Sequence, residues 1–145
     1  MRFQVALAAL AILAGGTAYA AEPIKVGTIF PMSGPAGPSG IDASAGAKVQ
    51  IDLINKKGGL LGRQLVIEHK DDESTPAVGV SRANELIAAK ADVIFEGRNS
   101  PVALAMQPVI AAANILDITC SAKAEGVLSG RGDPGRKAYR DIVSE

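Results

Sequence analysis

The 145-residue sequence predicts an α/β domain built on a parallel, doubly wound sheet. Four short segments of strand type alternate with three segments of helical period along the chain. The connections between them are too short for anything but crossovers, so each helix must carry the chain from one strand to a parallel neighbour. The predicted domain covers residues 21–130, and residues 131–145 are expected to form an irregular tail rich in glycine and charge.

The first twenty residues are excluded from the domain because they have the three zones of a secretory signal peptide. Met1-Arg2 gives a positive start, Val5–Ala14 is an apolar run, and Ala18-Tyr19-Ala20 is a small-residue cleavage site. The apolar run is far shorter than the roughly 18 residues that a membrane span needs. We expect cleavage after Ala20 and a mature protein in the periplasm.

The first half of the domain contains two strands and one helix. Ile24–Phe30 is rich in β-branched and aromatic residues, which favours a strand that Pro31 ends. From Ile41 apolar residues recur at helical spacing, and Gly58-Gly59 stops that helix. Gln64–Lys70 then alternates between apolar and polar residues, which is typical of a strand.

The second half repeats this alternation. Thr75-Pro76 predicts a helix start, with threonine as the cap and proline in the first helical position. Ala91–Phe95 is a third strand, Ser100-Pro101 a second start of the same type, and Ile115–Ile118 a fourth strand. Beyond Thr119 the periodicity weakens.

Composition excludes several classes of function. The 15 basic and 15 acidic residues leave no net charge to attract nucleic acid, and 3 Phe, 2 Tyr and no Trp are too few for a base-stacking surface. One cysteine and one histidine exclude a disulfide framework, a Cys-rich zinc site and paired-histidine metal sites. With no Gly-x-Ser-x-Gly and no nucleophile–base pair, the sequence predicts neither an enzyme nor a cofactor site.

In an open parallel sheet the ligand crevice lies beyond the carboxyl ends of the strands. Asn99-Ser100 puts a hydroxyl and unpaired backbone amides at the start of the third helix, where the helix dipole attracts a carboxylate. The same pattern also fits plain capping by Ser100. Arg98 either pairs with such an anion or stays solvated.

Four further features lie in or near these loops. The glycine-rich Ser33–Gly40 segment either presents backbone amides to a ligand or is a turn that needs permissive backbone angles. The acidic run Asp71-Asp72-Glu73 is expected to be solvated. His69 alternates with apolar residues and is expected in the core or at a sheet edge, and Cys120 is expected to be either a buried free thiol or an unpaired reactive one.

Several ordered segments also resemble the leucine and branched-chain amino-acid binding family, the periplasmic receptors of ABC importers. The resemblance extends from Ile24 to about Gly130, and its segments are Ile24–Gly27, Pro31–Pro35, Gly46-Ala47, Ile54–Gly59, Leu61–Arg63 and Asp71–Pro76. It implies a type I periplasmic binding fold in which two lobes close on an amino acid or a related small carboxylate. It also implies a membrane permease as partner and no nucleic acid.

The resemblance implies binding roles for particular residues of the first lobe. Ser100 matches a serine that holds the ligand carboxylate, with Asn99 beside it, and Ser121 and Lys123 fall at the small or hydroxyl residues after the fourth strand. Ser39 falls where an aromatic residue often packs on the ligand. Lys123 and Ser39 depart from the family pattern, which leaves leucine-type specificity open.

Members of this family are longer and carry a second lobe, so the chain resembles an incomplete first lobe, an N-terminal fragment of such a receptor. A stand-alone exported α/β sensor or interaction domain would share every predicted strand and helix, and it remains the alternative.

Overall fold

The computed structural model describes residues 22–122 and confirms the predicted α/β class. Its four parallel strands lie in the order β2-β1-β3-β4. The strands are β1 (Ile24–Phe30), β2 (Leu65–Asp71), β3 (Val93–Gly97) and β4 (Leu116–Cys120), and the helices are α1 (Gly37–Lys56), α2 (Pro76–Ala88) and α3 (Ser100–Ala112). The predicted signal peptide, the tail at 131–145 and Lys123 lie outside the described residues. No helix within 22–122 is long and apolar enough to cross a membrane.

The main core lies between the sheet and the α2–α3 pair. Its fully buried side chains include Ile29 from β1, Ile94 from β3, Leu86 from α2 and Met106 from α3. The two helices approach closely at Gly79, where a Cβ would lie 2.5 Å from a methyl carbon of Val102. The absence of a side chain there allows the second and third crossovers to pack as one layer.

The opposite face of the sheet is only partly covered by α1. An apolar groove of about 430 Å³ separates this helix from the sheet, and its walls include Val26, Ile51, Ile67 and Phe95. On β4 the side chains of Leu116 and Ile118 are 61% and 40% exposed. Apolar surface of the β3–β4 half therefore faces water in the described part of the chain.

All three helices end in the same way, with a left-handed residue followed by a hydrogen bond back into the last turn. Gly58, Lys90 and Asn114 hold this conformation, with φ of 100°, 58° and 54°. After α2, the amide of Ala91 donates to the carbonyl of Leu86, five residues earlier, at 3.0 Å. This is the Schellman arrangement, which satisfies carbonyls that a helix end leaves exposed.

The predicted start of α1 at Ile41 is wrong, because the helix begins four residues earlier, at Gly37. Pro38 lies within the first turn, where its missing N–H has no helical partner to lose. Gly40 lies so close to Pro31 that a Cβ would be 1.8 Å from the Pro31 carbonyl oxygen. The glycines of this segment therefore serve a tight strand-to-helix turn, with Gly34 at φ 72° supplying the left-handed residue.

Asn55, near the end of α1, fixes the start of β2. Its side-chain amide donates to the carbonyl of Leu65, and its side-chain oxygen accepts from the Leu65 amide, both at 2.8 Å. These two bonds continue the hydrogen-bonding pattern of a strand with a side chain instead of a backbone. The register that places the carboxyl end of β2 beside that of β1 is anchored here.

Candidate functional site

The strand order places a topological switch point between β1 and β3. The chain leaves β1 toward β2 on one side and then returns to add β3 and β4 on the other side. Open α/β sheets bind ligands in the crevice beyond the carboxyl strand ends at such a point. The loops to consider are therefore those after Phe30 and after Gly97, with the loops after β2 and β4 on either side.

Left-handed backbone conformations are found in all four of these loops. Gly34 is the left-handed residue of the β1 loop, and Glu73, Ser74, Arg98 and Ser121 are those of the other three, with φ values between 54° and 74°. Side chains other than glycine adopt this region at a cost, and such residues cluster at functional sites. Among residues 22–122, four of the seven non-glycine residues with positive φ lie at the end of the sheet that carries the switch point, and the other three are Leu61, Lys90 and Asn114.

The β3 and β4 loops meet through Arg98. Its Nη1 donates to the Ser121 hydroxyl at 3.3 Å, and its backbone amide donates to the Cys120 carbonyl at 3.1 Å. Gly97, just before it, has a φ of 138° and approaches Cys120 so closely that a Cβ would lie 1.9 Å from that carbonyl oxygen. A guanidinium and a hydroxyl are thereby held together beside the start of α3.

The cap of α3 is Asn99, and Ser100 is the first helical residue. The prediction that Ser100 caps this helix was therefore wrong by one position. Asn99 makes no side-chain cap bond, and its Nδ2 group donates to the carbonyl of Ser74 at 3.4 Å. Thr75 does occupy the predicted cap position of α2, but its hydroxyl donates to the Glu73 carbonyl at 3.1 Å.

Asp71, the last residue of β2, holds the neighbouring β1 loop. One carboxylate oxygen accepts the amides of Met32 at 2.8 Å, Ser33 at 3.3 Å and Glu73 at 2.8 Å. Partial burial acts to raise the pKa of Asp71, but hydrogen bonds from the Ser33 hydroxyl and these amides outweigh it, and the pKa lies below its ordinary value.

Asp72 is fully buried, so the prediction of a solvated acidic run was wrong for this residue. Its Oδ1 accepts the Ser74 amide at 2.7 Å, while Oδ2 has no hydrogen-bond partner among residues 22–122. Burial raises the pKa of Asp72 to about 6, with the charge of Asp71 adding to the effect and the Ser74 amide opposing it. Its amide donates to the Phe30 carbonyl, which draws the residue in behind β1.

Ser74 is a residue that the sequence analysis missed. Its hydroxyl donates to the Ser33 carbonyl at 3.1 Å and accepts the Ala36 amide at 3.3 Å, while its own carbonyl accepts from Asn99. The only local indication was a hydroxyl residue just before a helix start. Its partners lie 25 to 41 residues away in the sequence.

The predicted ligand-binding residues fall into two groups. Asn99, Ser100 and Ser121 lie together at the β3–β4 end, with Arg98 between the loops. Ser39 lies in the first turn of α1, where its half-buried hydroxyl donates to the Ala36 carbonyl at 3.0 Å. That bond within the helix gives Ser39 a local structural role on the β1 side of the site.

The remaining reactive side chains are paired or partly buried. His69 shares a hydrogen bond with the Thr28 hydroxyl at 2.5 Å, and burial, helped by the charge of Lys48, lowers its pKa. The Thr119 hydroxyl donates to the buried carboxylate of Glu96 at 2.5 Å. Cys120 is a half-buried free thiol whose pKa is raised by burial, so it stays protonated at neutral pH. Within the described range no group of three or more His, Cys, Asp or Glu is placed to hold a metal ion.

Comparison with sequences of known proteins gives a family match and several relatives. The model of the family described as periplasmic binding protein matches residues 23–139. A Leu/Ile/Val-binding protein of Rhizobium johnstonii is 37% identical over 101 residues, covering 70% of this chain and 28% of that protein. A second Leu/Ile/Val-binding protein homologue, from Brucella melitensis, is 30% identical over 114 residues, covering 79% of this chain and 31% of that protein. The chain thus spans less than a third of the length of these relatives.

Solved structures show the same likeness. The branched-chain amino acid transporter substrate binding protein LivJ of Streptococcus pneumoniae, crystallised with isoleucine, is 28% identical with a TM-score of 0.70, over 74% of this chain and 31% of that one. A solute binding protein of an ABC transporter from Rhodopseudomonas palustris, crystallised with benzoate, is 31% identical with a TM-score of 0.65, over 73% and 29%.

Proposed function

Because the chain belongs to the periplasmic binding protein family, we propose that it acts as the first lobe of a solute receptor for an ABC importer. Its ligand is an amino acid or a related small carboxylate, and its partner is the membrane permease of that importer. Residues 21–130 form the ligand-binding lobe, and the chain binds its ligand without catalysing a reaction.

The observation that carries this proposal is the start of α3 at the switch point. The amides of the first helical turn carry the positive end of the helix dipole, and Asn99, Ser100 and Ser121 surround it with polar groups. The Arg98 guanidinium adds a full positive charge within reach of Ser121. This combination favours a small anion.

The two structural relatives support a carboxylate in particular. One was crystallised with isoleucine and the other with benzoate. These molecules differ in their apolar parts and share a carboxylate. A site that uses the helix start for the carboxylate leaves the apolar part to other residues, so the carboxylate seat is the feature we assign to this lobe.

Replacement of Ser100 by alanine tests the seat in a two-lobed context. We choose a chimera in which residues 22–122 replace the aligned segment of the pneumococcal LivJ protein, whose ligand is isoleucine. Loss of a hydrogen bond to a charged group costs about 1 to 3 kcal/mol, so isoleucine should bind the Ser100→Ala chimera roughly 5- to 150-fold more weakly.

Calorimetric titration measures the difference, and Ser81→Ala, on the exposed face of α2, is the matched control. The control should bind as the unmodified chimera does. Equal affinity of the Ser100→Ala and Ser81→Ala chimeras would remove Ser100 from the site.

Export to the periplasm is the second part of the proposal, with residues 1–20 as the signal peptide. Expression of the full chain in a Gram-negative host should give a periplasmic product whose intact mass is that of a chain starting at Ala21. The reason is that Ala18-Tyr19-Ala20 matches the small-residue cleavage pattern. A periplasmic product that retains Met1 would contradict cleavage, and a product confined to the cytoplasm would contradict export.

A further inference from the structure

We propose that Ser74 is the positioning residue of the site, which fastens three of its four loops into one surface. This inference rests on the proposed function, since it concerns the surface on which the ligand is expected to bind. Ser74 itself lies in the β2 loop, and its contacts reach the β1 loop and the start of α3.

The contacts of Ser74 use every polar group that the residue has. Its amide donates to Asp72, its hydroxyl bonds to the backbone of Ser33 and Ala36, and its carbonyl accepts from Asn99. Three different loops are therefore joined through one side chain and one peptide unit.

The backbone conformation of Ser74 is a condition for this arrangement. Glu73 and Ser74 are consecutive left-handed residues, with φ of 54° and 57°, and this turns the hydroxyl toward the β1 loop. On the other side Gly34 comes so close that a Cβ would lie 3.0 Å from the Ser74 hydroxyl and 2.9 Å from the Glu73 carbonyl. The two loops are in contact, and the cost of the strained backbone is offset by the bonds it allows.

Charged side chains of α2 also hold the β2 loop. The Arg82 guanidinium donates to the Asp71 carbonyl at 3.2 Å and to Glu85 at 2.7 Å, and it lies 3.7 Å from Glu73. The β2 loop is thereby fixed to α2 independently of Ser74. Loss of the Ser74 hydroxyl should then release the β1 loop while the β2 loop stays in place.

This consequence separates a positioning role from a general contribution to stability. The Ala36 amide, which donates to the Ser74 hydroxyl, should exchange with solvent deuterium roughly tenfold faster in Ser74→Ala, as for a lost local hydrogen bond. The Met32 amide, which donates to Asp71, and the amides within β1 should exchange as in the wild type. The side-chain amide signals of Asn99 report whether the Ser74 carbonyl moves as well.

The experiment uses the full 145-residue chain, with exchange followed by two-dimensional NMR. Ser74→Gly is the second variant, because it also removes the hydroxyl but relieves the left-handed conformation. The two variants should differ in thermal stability and yet show the same acceleration at Ala36. Ser81→Ala serves as the control and should show none. An unchanged Ala36 amide in both variants, or equal acceleration of all amides, would overturn the proposal.

A titration with sodium benzoate and with isoleucine on the same samples distinguishes this proposal from the proposed function. If either probe shifts the Asn99 and Ser100 amides of the wild type, its affinity should fall at least fivefold in both Ser74 variants. Equal affinity in wild type and variants would contradict a positioning role for binding. If neither probe shifts those amides, the lobe alone holds no carboxylate and the two-lobed chimera still tests the proposed function, while the exchange at Ala36 decides whether Ser74 holds the loops.

Discussion

Replacement of Gly97 by alanine should destabilise the protein by about 3 kcal/mol or more. Gly97 has a φ of 138°, a region that is almost closed to residues with a Cβ, and the added carbon would lie 1.9 Å from the Cys120 carbonyl oxygen. The clash is with backbone, so no side-chain rotation relieves it. The ends of β3 and β4 must separate, and Arg98 and Ser121 then lose their contact.

Urea unfolding followed by circular dichroism measures this effect. The matched control is Gly46→Ala, in α1, where a Cβ would meet nothing within 4 Å. That control should stabilise the helix by about 0.5 to 1 kcal/mol, the usual advantage of alanine over glycine in a helix interior. If the free energy of unfolding of Gly97→Ala lies within about 1 kcal/mol of the wild-type value, the added Cβ does not force the ends of β3 and β4 apart.

The second large effect concerns the pH dependence of stability and the buried Asp72. Its pKa in the folded protein is about 6, above the ordinary aspartate value of 3.8, so the folded state binds the proton more tightly than the unfolded state. The stability that this group contributes is therefore complete below pH 4 and is lost as the pH rises through 6. A difference of this size corresponds to about 3 kcal/mol.

In Asp72→Asn that loss should disappear, because an amide of the same shape carries no charge and can still accept the Ser74 amide. The free energy of unfolding of the variant should match the wild type near pH 4 and exceed it by about 2 to 3 kcal/mol at pH 8. Asp71 acts in the opposite direction, since its lowered pKa stabilises the fold above that pKa. The variant should therefore still lose stability as the pH falls below 4, as the wild type does.

Denaturation at pH 4, 6 and 8 provides the measurement, and Asp52→Asn is the control. Asp52 is an exposed partner of Lys48 in α1, at 3.3 Å, and such pairs contribute little. Its profile should run parallel to that of the wild type. A parallel profile for Asp72→Asn as well would show that the Asp72 carboxyl is effectively solvated.

The sequence predicted those elements whose causes are local. The strand at Ile24–Phe30 has the predicted bounds, since β-branched residues and a following proline act within the segment itself. Pro76 begins α2 as expected for the same reason. The early start of α1 escaped prediction because it depends on Gly40 packing against Pro31, a contact that no local pattern shows.

In the candidate site, too, the features with local causes were predictable from the sequence. A polar helix start at Asn99-Ser100 is visible in the sequence, and its position at the switch point follows from the order of strands and helices. The burial of Asp72 is not visible, since three consecutive acids look solvated and the contacts of this one with Phe30 and Ser74 exist only in the folded loop. The contacts of Ser74 were missed because they join loops far apart in the chain.

The open groove beneath α1 has a thermodynamic consequence. The heat capacity change of unfolding grows with the apolar area that unfolding newly exposes to water, about 12 to 15 cal/mol/K per residue in ordinary domains. The groove walls near Phe95 and the exposed side chain of Ile118 already contact water in the folded state, so they add little to that change. We therefore expect a smaller heat capacity change per residue than in a domain whose sheet is covered on both faces, and a correspondingly broader curve of stability against temperature.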